Sequence, residues 1–129
     1  MSSHTHRNLH DVEDMAPRFG MPPEMESRFA KSALGLERVG LTHFRLAPGF
    51  RIPFAHRHED QEEVYVVVGG SARIKVEDEV IDLDQWDAIR VSGDTLRNLE
   101  AGPDGAEIIA FGESATQDQS EMVPGWWSD

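Results

Sequence analysis

At 129 residues the chain is sized for one domain with a buried core of its own. Acids outnumber Lys and Arg by 24 to 12, and the net charge of −12 has no basic cluster to offset it, which argues against nucleic acid and anionic membranes as partners. Cysteine is absent, which excludes disulfides, thiolate metal sites and cysteine nucleophiles.

The start, "MSSHTHRNLH", has no apolar h-region, so no secretory leader is read and the expected compartment is the cytoplasm. Residues 1–27 read as an irregular arm carrying Pro17, Pro22 and Pro23, lying on the domain or partly disordered. Within it "PPEMESRFA" starts a short helix behind Pro22-Pro23 or becomes extended at Arg28. From residue 28 to 112 short runs rich in Val, Ile, Leu and Phe alternate with turn residues, the pattern of an all-β sandwich or barrel. "GLTHFRLAPG" gives one strand, and "EEVYVVV" a second, stopped by Gly69-Gly70. "SARIKV" places Ala72, Ile74 and Val76 on one face and Arg73, Lys75 and Glu77 on the other. "VIDL", "DAIRV" and "TLRNLEA" follow, and "GPDG" at 102–105 is a turn before "AEIIAFG". Residues 113–129 form a tail in which Trp126 and Trp127 dock either on their own barrel or across a subunit interface.

The chemistry lies in "HRHEDQEE". In an extended segment His56 and His58 project to the same face, and neutral imidazole is the commonest ligand of divalent first-row metals. Glu63 opens the next strand, and antiparallel pairing would bring its carboxylate beside both rings. Two histidines and one carboxylate leave coordination positions open for substrate, water or oxygen. The other histidines read otherwise: His4 and His6 as a solvated pair, His43 as a satisfied structural residue of its strand, and His10 without a role.

Gly49, His56-Arg57-His58, Glu63 and Gly70 together resemble the first motif of the cupin superfamily, G-(X)5-HXH-(X)3,4-E-(X)6-G, with one extra residue before the first histidine. The resemblance covers about residues 35–112. It implies a double-stranded β-helix, an antiparallel jelly-roll barrel that is commonly a homodimer. It also implies a divalent metal (iron, manganese, nickel or zinc) on His56, His58 and Glu63, with Glu62 in reserve. The second motif, which supplies a fourth ligand, is degenerate. Counted through "WDAIRVSGDTLRNLEA", its first glycine becomes Trp86 and its histidine becomes Arg97.

Arg97 stays protonated and cannot ligate a metal. Three placements follow for it: anchoring an anionic group of a substrate beside the metal, bonding Glu63 and leaving a metal-free pocket, or pointing away. Two functional readings follow. One is a metal-dependent oxygenase, isomerase or lyase acting on a small organic molecule, with Arg97 and Tyr65 orienting the substrate. The other is a non-catalytic, metal-free cupin binding a small ligand, anionic where Arg97 is its specificity group. The chain lacks a phosphate-binding loop, an EF-hand loop and a GxSxG elbow.

Overall fold

The computed structural model describes residues 3–113 and 120–129. In chain order these form β1 (Met25–Phe29), α1 (Ala30–Leu34), β2 (Val39–Leu46), β3 (Phe54–His58), β4 (Glu63–Val76), β5 (Glu79–Leu83), β6 (Ala88–Val91), β7 (Arg97–Glu113) and β8 (Ser120–Pro124). Two of these strands, β4 and β7, are far longer than the rest and run antiparallel along almost their whole length. They bend together and thereby serve two layers. The first layer holds β1, β2, the end of β7, the start of β4 and β6. The second holds β5, the end of β4, the start of β7, β3 and β8. The result is the antiparallel double-layered barrel expected from the strand pattern.

The bend corrects the expectation that Gly69-Gly70 stops one strand and "GPDG" separates two others. Both stretches stay within their strands. Gly70 pairs with Ala106 and Ala72 with Ala101, so Ser71 alone opposes residues 102–105 of β7. An insertion of this kind kinks a strand without ending it. Gly70 has φ +68°, and a Cβ there would lie 2.0 Å from the Gly105 carbonyl oxygen. Glycine is therefore required for the two bent backbones to cross at contact distance.

Alternation builds the core. Tyr65, Val67, Ala72 and Ile74 of β4 lie beside their ladder partners Ala110, Ile108, Ala101 and Leu99 of β7, all turned into the interior with Ala106. Each large aliphatic side chain buried here contributes about 1.5–3 kcal/mol. The "SARIKV" alternation is as read, with Ala72 and Ile74 buried.

The arm lies against the barrel through two 3-10 turns, Leu9–Asp11 and Ala16–Phe19, and an Asp14–Arg28 bridge. β1 begins at Met25, ahead of Arg28, because pairing with β2 supplies its ladder. α1 is a short turn of "AKSAL", good helix formers closed by Gly35. At the other end β8 pairs with β3 along its length. Trp127 is buried on its own barrel, with the Arg51 guanidinium 4.1 Å and that of Arg73 5.5 Å from its ring centre. Glu100 bonds both arginines and so fixes the two cations on the indole. Residues 114–119, the first part of the tail, lie outside the described residues.

Trp86, standing where the motif calls for glycine, keeps a glycine-like φ of +74° while its side chain is 68% exposed. A left-handed conformation costs a non-glycine residue about 1–2 kcal/mol, and an indole this exposed recovers little by packing. Trp86→Gly is therefore expected to raise the melting temperature by a few degrees in a thermal scan. An unchanged or lower midpoint would show that the indole is held by contacts worth more than the strain.

Candidate metal centre

The site lies at one end of the barrel, where β3 finishes and β4 and β7 begin. His56 and His58 project together from β3, with ring centres 5.2 Å apart, while Arg57 between them turns outward to Glu121. Glu63 arrives by a different route from the one expected. β3 pairs with β7 and β8, and no ladder joins it to β4 among the described residues. The carboxylate approaches from the facing layer, so the group closes across the barrel interior. Glu63 Oε1 lies 3.4 Å from His56 Nε2 and 3.8 Å from His58 Nε2.

Arg97 occupies the place counted for the lost histidine ligand. It sits directly opposite His56 in the β3–β7 pairing and is fully buried. Its Nη2 donates to Glu63 Oε1 at 3.2 Å and its Nε to the Tyr65 hydroxyl at 3.2 Å. Nη1 donates to the carbonyls of Thr95 at 2.7 Å and Gly93 at 3.1 Å. The Tyr65 hydroxyl donates in turn to Glu63 Oε1 at 2.5 Å. Every guanidinium nitrogen thus has a partner within the protein. Glu62, the reserve acid, points away and pairs with Arg90 at 3.1 Å.

Electrostatics follow from these contacts. Burial pushes the Glu63 carboxyl up, but hydrogen bonds from His56, His58 and Tyr65 outweigh it and hold the group well below the usual carboxylate range. Burial pushes the Tyr65 phenol up, reinforced by the Glu63 charge, so it stays a neutral donor.

The residues fit a metal ion by spacing. Bonds of about 2.1 Å in a tetrahedral arrangement separate ligand atoms by roughly 3.4 Å, the His56–Glu63 distance. The three donor atoms all lie within 4.8 Å of one another. Among the described contacts Arg97 bonds the carboxylate and neither imidazole, so both rings would remain available to hold an ion beside the acid. A small cavity of about 50 Å³ adjoins the group, lined by His56, Tyr65, Arg97 and the apolar Phe44, Ile52 and Phe54.

A second convergence was not read from the sequence. His10, His43 and Glu107 meet on the outer face of the β2–β7 pair. Neither histidine stands in a short motif with the acid, and the three come from separate parts of the chain. His43 is buried as expected, but its Nδ1 has no hydrogen-bond partner, so the ring is only half satisfied.

No known family model matches the chain, and no curated protein matches it significantly. Solved structures do match. A cupin protein from Bacteroides fragilis is 20% identical, with 91% of this chain and 89% of that one aligned at a TM-score of 0.73. A sugar phosphate isomerase from a cupin superfamily, from Silicibacter pomeroyi, is 17% identical over 89% of this chain and 79% of its own, with a TM-score of 0.70. An oxalate decarboxylase from Bacillus subtilis is 17% identical and aligns with 88% of this chain over 31% of its own length, with a TM-score of 0.71. The chain has the cupin fold.

Removing the guanidinium strands a buried carboxylate, so Arg97→Leu is expected to destabilise the protein by about 3–5 kcal/mol in chemical denaturation. Adding Glu63→Gln should recover much of that loss. Because the folded pKa of Glu63 lies below its ordinary 4.5, its stabilisation is present above that pH and is lost as pH falls below it. Glu63→Gln alone should therefore flatten the acid limb of the stability–pH curve measured without metal. An acid limb as steep as that of the parent protein would place the controlling carboxylate elsewhere.

Proposed function

We propose that the chain is a metal-dependent cupin acting on a small organic molecule. His56, His58 and Glu63 are the ligands of one divalent first-row ion. The observation that carries this reading is the meeting of three donor atoms from facing layers at metal-ligand spacing. Such an ion supplies Lewis acidity, or an oxygen-activating centre, at its open positions. Arg97 and Tyr65 act as positioning residues. Both bond Glu63 Oε1, the same atom that approaches the two imidazoles, and so hold it in place. Four of the five Arg97 N–H donors are engaged within the protein, which leaves one Nη2 proton for an anionic substrate. The adjoining cavity admits only a few heavy atoms, which favours a correspondingly small substrate.

The second reading, a metal-free binding module, is favoured by one observation. Arg97 already neutralises Glu63, so the group is charge-balanced without an ion.

Metal content of protein prepared without a histidine tag separates the two. Near-stoichiometric iron, manganese, nickel or zinc that drops by about one equivalent in a His56→Ala/His58→Ala double variant is the expected result. Metal content equal in the two proteins after supplementation with all four ions would discard the metal reading and leave the binding module. Tyr65→Phe keeps all three ligands and is expected to weaken metal affinity by about tenfold, the usual effect of losing an outer-shell hydrogen bond.

A further inference from the structure

The outer trio presents a second site of different character. His10 Nε2 and His43 Nε2 each lie 2.7 Å from the same atom, Glu107 Oε1. The two rings stand 4.9 Å apart at their centres. Hydrogen bonds from the two imidazoles hold the carboxyl below its usual range, against a smaller opposing effect of burial. An ionised carboxylate only accepts, so without metal each Nε2 carries a proton and donates it.

Charge distinguishes this trio from the interior group. Among the described contacts Glu107 bonds two imidazoles and no guanidinium or ammonium, whereas Glu63 bonds Arg97. The neighbouring groove, about 440 Å³, is lined by Glu24, Glu26, Asp104 and Glu107, with Arg45 as its single cationic side chain. Arg45 leans towards Glu26 at 3.5 Å. A cation arriving along this groove enters a field of its own preferred sign.

We infer that His10, His43 and Glu107 form a zinc-class site, distinct from the barrel interior, that fastens the N-terminal arm to the β2–β7 sheet. Imidazole donors favour zinc, nickel or copper over magnesium and calcium. The ion bonds Nε2 of both rings and Oε1 of the acid, and water completes its shell from the side where His10 is exposed. Binding sends the Nε2 protons to Nδ1 or to solvent, and opens the donor atoms from 2.7 Å to roughly 3.0–3.4 Å. His10, on a short turn of the arm, supplies that movement. His43 stays fixed in β2, and its buried Nδ1 lacks an acceptor. That missing partner sets the affinity about 10–100-fold below a site with a complete outer shell.

The test uses full-length protein without a tag and zinc chloride as the probe. In the His56→Ala/His58→Ala background, titration calorimetry is expected to show one zinc equivalent. Adding His10→Ala should weaken that binding at least tenfold without unfolding the protein, since His10 is exposed. Hydrogen exchange at residues 9–12 should slow with zinc only while His10 is present. Adding His4→Ala/His6→Ala instead should leave binding unchanged. Absence of zinc binding in the double variant, binding indifferent to His10→Ala, or binding lost with His4 and His6 would each overturn the proposal. None of these outcomes depends on the interior site, whose own failure shows as an unchanged metal content on losing His56 and His58.

Discussion

Arg97 and Glu63 meet where the two layers of the barrel face each other, and much of the site depends on that contact. One charge is fully buried and the other nearly so, and neither is stable there alone. The buried guanidinium gives the carboxylate its countercharge, and Tyr65 bonds both. The pair joins the two layers and holds the carboxylate that His56 and His58 approach.

The first cupin motif was legible because its information is local. A two-residue spacing puts both imidazoles on one face whatever the rest of the chain does, and β3 keeps that face turned to Glu63. How the acid reaches them was not local. Reading β3 and β4 as neighbours in sequence suggested neighbours in the sheet, whereas β7 takes that place beside both. The second motif is more instructive. Its residues are absent here, yet Trp86, at the position counted for a glycine, has a positive φ, and Arg97, at the position counted for the histidine, pairs with His56.

Other features were beyond any local pattern. Gly69-Gly70 and "GPDG" carry the ordinary signals of turns, and only the long partnership of β4 and β7 turns them into bends. The His10, His43 and Glu107 trio joins residues whose ion pairs span 97 and 64 positions, with no motif to unite them. An acid in so acidic a chain earns attention only once its neighbours are known. The strand alternation, by contrast, follows directly from burial on one face, and the face read for Ala72 and Ile74 is the buried one.

The docked C-terminus has a consequence of its own. β8 covers the outer margin of β3, the strand that carries His56 and His58, and so leaves that margin no free row of peptide groups. What keeps β8 in place is largely Trp127, gripped by two arginines that Glu100 steadies, with Asp129 adding a further ion pair to Arg51. The last few residues thus act as a latch on a sheet edge. Were they removed, the histidine strand would become a template on which a second molecule could add its own strand, and the segment that carries the candidate ligands would become a route to self-association.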